Sequence, residues 1–188
     1  MNVPNHIINQ SIVLKENITL GQSVTLKFLA ANVVGTKETK CYIREPNQTT
    51  YKLLQNFTTD SKLEYLPKKS GTYYLKTKMR DDRGKLSEKI LTFNVSGTFE
   101  CFTSISRSEI PINNSLTISL RTKCNVGNTQ TKIYVMTPGS KTYKVYCDFT
   151  PTYSFHYTPT KVGTYQFRLK TKDTTGKLIV NDIVCTCK

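Results

Sequence analysis

Along this chain apolar and polar residues alternate in short runs. No stretch keeps apolar residues at helical spacing beyond about ten residues, so the pattern predicts strands. Ser23 to Leu29 and Ser115 to Arg121 alternate as one strand of a pair of related segments. Lys40 to Glu45 and Lys132 to Thr137 form another, closed by Pro46-Asn47 and Pro138-Gly139, residue pairs that favour turns. Gly71 and Gly163 open a longer strand through Tyr73 to Arg80 and Tyr165 to Lys172. Asp81-Asp82-Arg83-Gly84 and Asp173-Thr174-Thr175-Gly176 end it, with Asp and Gly placed as a type I hairpin turn uses them. A last strand runs from Leu91 to Val95 and from Ile183 to Cys187.

Those segments come in pairs because the chain repeats itself. At a constant shift of 92 residues, 24 of the 64 positions from Ser23 to Leu86 are identical, without a gap. Unrelated sequences match at about one position in seventeen. Matched residues include Gly35 with Gly127, Tyr42 with Tyr134, Tyr51 with Tyr143, and Phe57 with Phe149. The densest part pairs Tyr65, Pro67, Gly71, Tyr73, Asp81 and Gly84 with Tyr157, Pro159, Gly163, Tyr165, Asp173 and Gly176. A unit of about 90 residues holding several strands and turns is a folded domain, since solenoid units are about 20 to 50 residues. The expected architecture is therefore all-β: two tandem immunoglobulin/fibronectin-III-like β-sandwich domains, residues 1–96 and 97–188, joined near Val95, Ser96, Gly97 and Thr98. The short linker predicts limited freedom between them.

Composition sharpens this picture. Tyr, Thr, Ile, Val and Phe are plentiful, as strands favour, and the hydrophobic fraction of 37% suits two sandwiches better than one large core. No run approaches the roughly 18 apolar residues of a membrane span. Met1 to Gln10 lacks the basic and apolar regions of a signal peptide, so none is expected in this chain. The net charge of +14 admits acidic partners: nucleic acid, anionic wall polymers or an acidic protein surface. A lysine coat that only keeps the protein soluble is the plainer reading of the same charge.

The run Tyr65-Leu66-Pro67-Lys68-Lys69-Ser70-Gly71-Thr72-Tyr73, followed by Asp81 and Gly84, resembles the triple-tyrosine domain of wall-associated and surface proteins of Gram-positive anaerobes. Its tyrosines map onto Tyr42, Tyr65 and Tyr73, and again onto Tyr134, Tyr157 and Tyr165. The resemblance covers both halves. It implies a β-sandwich accessory module without activity of its own and a cell-surface or extracellular setting. The missing signal peptide and free thiols leave the cytoplasm open. This chain has no Trp, which excludes a Trp platform for sugars.

Catalytic chemistry finds little support. The two histidines are His6, in an expected tail, and His156, which aligns with Glu64, so the copies share no base. Asp81 and Asp173 are shared, yet their place three residues before a glycine makes them turn residues. Asp60, Glu64, Asp81 and Asp82 do not stand at a spacing that asks for acid–base pairing. Of the six cysteines, Cys41, Cys185 and Cys187 align with Ile133, Phe93 and Val95, which predicts buried thiols filling apolar sites. Cys124 and Cys147 align with the polar Asn32 and Gln55 and are the first pair to test for a bond; the state of Cys101 is left open. Cys185-Thr186-Cys187 is weak as a metal motif, and neither metal nor cofactor is expected. Asn-x-Ser/Thr occurs at Asn9, Asn17, Asn47, Asn56, Asn94 and Asn113, as chance allows in an Asn- and Thr-rich chain.

The informative surface pattern is a repeated alternation. In the strand after Gly71, Tyr73, Leu75, Thr77 and Met79 share one face and Tyr74, Lys76, Lys78 and Arg80 the other. The second copy places Arg168, Lys170 and Lys172 outward in the same way. With Cys41 and Ile43 inward, Lys40, Tyr42 and Arg44 face outward, as do Lys132 and Tyr134. If the two strands are neighbours, each domain carries a basic ladder beside a tyrosine. That face is the candidate site for an anionic cell-wall polymer or an acidic protein surface; no nucleic-acid motif accompanies it. The leading expectation is a non-catalytic module for adhesion, wall association or spacing within a surface protein. An intracellular interaction scaffold is the alternative, and polyanion binding through the ladders a weaker one.

Overall fold

The computed structural model describes residues 6–188. The chain divides between Gly97 and Thr98 into two compact units. In the first, the strands are β1 (Ile8–Asn9), β2 (Ile12–Val13), β3 (Asn17–Thr19), β4 (Val24–Lys27), β5 (Ala30–Ala31), β6 (Glu38–Arg44), β7 (Lys52–Thr58), β8 (Lys62–Tyr65), β9 (Gly71–Arg80) and β10 (Leu86–Ser96). The second holds β11 (Glu100–Ile105), β12 (Glu109–Ile110), β13 (Leu116–Lys123), β14 (Gln130–Met136), β15 (Lys144–Thr150), β16 (Ser154–Tyr157), β17 (Gly163–Lys172) and β18 (Leu178–Cys187). There is no helix among the described residues.

Each unit is a sandwich of a small and a large sheet. In the first, β2-β4-β8 faces β3-β10-β9-β6-β7; in the second, β11-β13-β16 faces β12-β18-β17-β14-β15. Three strands against four, with one short strand running parallel to the last, is an immunoglobulin/fibronectin-III-like arrangement. In the first unit β1 and β5 form a further two-stranded ladder, tied to β9 by Asn9, whose side-chain amide donates to the backbone carbonyl and hydroxyl of Thr77.

Alternation creates the cores. Along β9 the inward Tyr73, Leu75, Thr77 and Met79 are fully buried while Tyr74, Lys76, Lys78 and Arg80 are half-buried on the other side. The second unit closes Leu116, Ile118 and Leu120 of its small sheet over Ile133, Phe167 and Leu169 of its large one. The copies exchange volume at neighbouring inner positions: Leu75 and Phe93 in one are Phe167 and Cys185 in the other, all buried. Moving a ring from one strand to the next keeps the core filled, which close-packed interiors require. Cys41, Cys101, Cys185 and Cys187 are buried and unbridged; Cys124 and Cys147, the pair singled out for a bond, are also free thiols.

Turns fix the register of the long strands. Gln48 N donates to Glu45 O at 3.1 Å and Ser140 N to Thr137 O at 3.0 Å, each across a proline, with Asn47 and Gly139 at positive φ as a type II turn requires. Gly71 at φ +126° and Gly163 at φ +127° start β9 and β17 directly against those prolines. A Cβ on Gly71 would stand 2.7 Å from Cβ of Pro46, so only glycine lets the strand begin there.

Two further devices recur. Asp81 and Asp173 are buried, and each carboxylate accepts the amide of a residue in a preceding loop, Val34 at 3.0 Å and Val126 at 3.1 Å. They also accept from the turn amides of Arg83 and Thr175, so these aspartates hold loop to hairpin as well as shaping the turn. The hydroxyls of Tyr73 and Tyr165 donate to the carbonyls of Lys69 and Lys161 and accept from the same residues' amides. This is the corner that a tyrosine near the start of such a strand makes in immunoglobulin-like sandwiches.

The strands extend beyond their alternating centres. The final strand runs over Leu86–Ser96 and Leu178–Cys187 rather than from Leu91 and Ile183, because it pairs along the whole of β9 or β17. β7 and β15 carry no clean alternation because they are edge strands, paired on one side only and shifted in register against β6 and β14. Such bulges twist an edge away from further pairing.

Candidate binding face

The outer surface of each large sheet is built by the pairing of β6 with β9 and of β14 with β17. In the first unit Glu38 stands opposite Arg80, Lys40 opposite Lys78, Tyr42 opposite Lys76 and Arg44 opposite Tyr74. In the second, Gln130 is opposite Lys172, Lys132 opposite Lys170, Tyr134 opposite Arg168 and Met136 opposite Gln166. The ladder read from the sequence is therefore one continuous face in each copy.

Aromatic rings are set between its cations. Arg44 lies over Tyr74 at 4.0 Å and over Tyr51 at 5.4 Å, and Lys76 over Tyr51 at 4.5 Å. Lys40 lies over Tyr42 at 5.3 Å and Phe57 at 5.6 Å, and Arg80 over Phe57 at 4.1 Å. The second unit repeats the arrangement: Lys132 over Tyr134 and Phe149, Lys170 over Tyr134, Arg168 over Tyr143, and Lys172 over Phe149 at 4.0 Å. Each contact is worth about 0.5–1 kcal/mol at an exposed site, enough to orient long side chains that water would otherwise leave free. Tyr134, Tyr143, Arg168 and Lys170 enclose a shallow depression of about 140 Å³.

Tyr51, Phe57, Tyr143 and Phe149 are the members that alternation alone did not bring to this face. They belong to the edge strand or the turn before it, where the period-two pattern fails. Their signal was identity between the copies.

Not all the cations are free. Glu88 holds Lys78 at 2.6 Å and Glu38 holds Arg80 at 2.7 Å. Asp148 holds Lys132 at 3.1 Å, and Asp182 takes two bonds from Arg168, both at 2.8 Å. The ammonium of Lys78 titrates higher because of its bond to Glu88, and that of Lys132 because of Asp148. Asp182 is lowered by the Arg168 guanidinium. The sequence pattern alone gave ladders of equal standing, whereas Lys78, Arg80, Lys132 and Arg168 are neutralised by acids from neighbouring strands. Lys40, Arg44, Lys76, Lys170 and Lys172 have no carboxylate partner among the described residues.

Three of the four acids considered for catalysis are engaged in other bonds. Asp60 accepts from Gln55 and Thr58, Glu64 pairs with Lys62, and His156 shares a hydrogen bond with Thr117. The carboxyl of Asp81 is pulled down to about 2, chiefly by the Arg83 guanidinium.

No protein-family model matches this chain, and no curated protein matches it. Among solved structures it is similar to the fibronectin(III)-like modules of Clostridium thermocellum CbhA, at 15% identity over 97% of this chain and 94% of that one, with a TM-score of 0.34. It is similar to a tetra-tandem repeat in the extending region of a large adhesion protein, at 12% identity over 97% of this chain and 50% of that one, TM-score 0.45. A two-domain fibronectin type-III segment from chicken tenascin matches at 11% identity over 95% of this chain and 99% of that one, TM-score 0.40.

Proposed function

We propose that this chain is a non-catalytic tandem β-sandwich module that spaces and positions a larger surface protein and docks through the outer cation–aromatic faces of its large sheets. The observation that supports this reading is the face itself. Lys40 over Tyr42 and Phe57 recurs as Lys132 over Tyr134 and Phe149, and Lys76 over Tyr51 recurs as Arg168 over Tyr143. The resemblance to triple-tyrosine domains points to the same class of accessory module. Asp60, Glu64, Asp81 and His156, among the groups that catalysis would draw on, are engaged in structural bonds, which favours a binding role.

Replacing Lys76, Lys78, Arg168 and Lys170 together by Ser tests the reading, with Lys15, Lys62, Lys123 and Lys141 replaced by Ser as the control. Retention on immobilised heparin at low salt is the measurement. The face variant is expected to elute at clearly lower salt than the control. Equal losses would reduce the face to part of a diffuse positive coat, and no retention of the parent would leave only the spacing role.

The unbridged cysteines favour a second reading, an interaction scaffold in a reducing compartment. Fractionation of the source cells separates the two, since a scaffold of that kind stays with the cytosol.

A further inference from the structure

The repeated face is not equivalent in the two units. Three positions decide this, taken at successive two-residue steps along the sheet: Arg44, opposite Tyr74; Lys76, opposite Tyr42; and Lys40, opposite Lys78. In the first unit all three lack a carboxylate partner among the described residues, and they alternate between β6 and β9 at steps of about 6.6–6.8 Å. In the second unit the corresponding side chains are Met136, Arg168 and Lys132. The first is uncharged, the second is closed by Asp182 through two bonds, and the third is held by Asp148. The difference has a simple origin in the sequence: the position beside Lys76 on β10 is Ile90, and the position beside Arg168 on β18 is Asp182.

Resting on the proposed docking role, we infer that anion recognition resides in the first unit, and that its ligand is a linear polymer of tetrahedral oxyanions, phosphate or sulfate, engaged by Arg44, Lys76 and Lys40. A row of evenly stepped cations matches a chain that presents one anionic group per step. The Arg44 guanidinium, oriented over Tyr74 and Tyr51, presents a planar donor fork that suits such oxyanions. The rings do not serve as platforms for nucleic-acid bases. Tyr42, Tyr51, Tyr74 and Phe57 each have one of the protein's own cations over them already, and base stacking needs an open ring face. The second unit keeps the rings and the fold, but its unpaired cations, Lys170 and Lys172, both lie on β17 and stand opposite the paired Lys132 and the uncharged Gln130, so no free cations alternate across the two strands.

The test uses the full chain and removes equal charge from matched positions: Lys40→Ser with Lys76→Ser, against Lys132→Ser with Arg168→Ser. The probes are linear inorganic polyphosphate, heparin as the sulfate arm, and single-stranded DNA of equal charge. The first pair is expected to weaken polyphosphate or heparin binding about tenfold and to flatten the dependence of log K on log salt by about 1.4, two lost contacts at about 0.7 each. The second pair is expected to weaken it less than threefold with the slope kept. The tighter of the polyphosphate and heparin complexes identifies the oxyanion, and either supports the class. Equal losses from both pairs would overturn the asymmetry while leaving the docking face intact. Single-stranded DNA bound tenfold more tightly than either polymer would overturn the ligand class. No effect of either pair, with the face and control sets of the heparin experiment also indistinguishable, would remove the docking reading itself.

Discussion

Arg168 and Asp182 face each other across β17 and β18 and form a two-point ion pair, Nε to Oδ1 and the terminal nitrogen to Oδ2, both at 2.8 Å. The same register in the first unit sets Lys76 against Ile90, which is 60% exposed. One side chain on the last strand therefore decides whether the neighbouring cation faces solvent alone or is already occupied.

Exchanging these residues should exchange the behaviour of the two faces. Ile90→Asp is expected to lower polyphosphate affinity several-fold by closing Lys76, and Asp182→Ile to raise it by releasing Arg168. Both positions are exposed, so stability should move by no more than about 1 kcal/mol, the upper end for an exposed ion pair. Titration of each variant with the polymer at fixed salt, alongside its melting curve, reads both quantities. An unchanged affinity in Ile90→Asp would show that Lys76 does not meet the ligand.

Strong acid should weaken the hold of Asp81 on its loop. Its carboxylate accepts from Val34 N, Arg83 N and the Arg83 guanidinium, and its folded pKa lies near 2 against an ordinary 3.8. A carboxyl lowered on folding contributes stability that is fully present above the unfolded value and is lost as pH falls from about 3.8 through about 2. Denaturation midpoints measured from pH 6 to pH 2 should fall across that window. In Asp81→Asn the midpoint should start lower at pH 6 and change less across it. A variant profile as steep as the parent's would assign the acid sensitivity to other carboxyls.

Much of this architecture can be read from residues. The 92-residue repeat, the alternation of Tyr73 to Arg80 and the prolines and glycines at the turns point to two sandwiches because each feature reflects a local rule: period-two burial, fixed proline φ, or glycine at positive φ. Edge strands β7 and β15 escaped that reading because one-sided pairing and a bulge break the period. The outer face was legible as a row of cations. Its ion pairs were not, since Glu88 and Asp182 reach Lys78 and Arg168 from β10 and β18, and their partners depend on register rather than on spacing in the chain. The roles of Asp81 and Asp173 were half legible: the turn showed, whereas the bonds to Val34 and Val126, 47 residues earlier, are tertiary.

The thiols should separate into two classes by rate. Cys124 and Cys147 are partly exposed, while Cys41, Cys101, Cys185 and Cys187 are buried. Burial pushes the Cys41 thiol up to about 12 and raises those of Cys101 and Cys185, so little thiolate forms there near neutral pH. Labelling the native protein at pH 8 is expected to modify the first two quickly and the other four only as fast as their unit opens. Mass spectrometry of the labelled peptides reports this directly. Prompt modification of Cys185 or Cys187 would mean that the last strand frays.

The tyrosine corner should carry more stability than its neighbouring tyrosine. Tyr73 is fully buried, stacks on Phe93 at 4.9 Å between ring centres, and exchanges two hydrogen bonds with the backbone of Lys69, donating at 2.9 Å and accepting at 3.2 Å. Tyr65, 6.0 Å from Tyr73 between ring centres, makes one long bond of 3.4 Å to Glu45 and is partly exposed. Replacing each by Phe keeps the ring and removes only the hydroxyl. Tyr73→Phe is expected to cost about 1 kcal/mol, a typical net value for a hydrogen bond, and Tyr65→Phe distinctly less. For a domain of this size about 1 kcal/mol lowers the melting midpoint by roughly 4–8 °C. Tyr165→Phe should reproduce the Tyr73 result in the second unit, since its hydroxyl bonds Lys161 in the same way at 3.1 Å and 3.0 Å. Calorimetry of the three variants gives the comparison. Equal shifts for Tyr73→Phe and Tyr65→Phe would mean that the rings, and not the corner, hold the start of β9 in place.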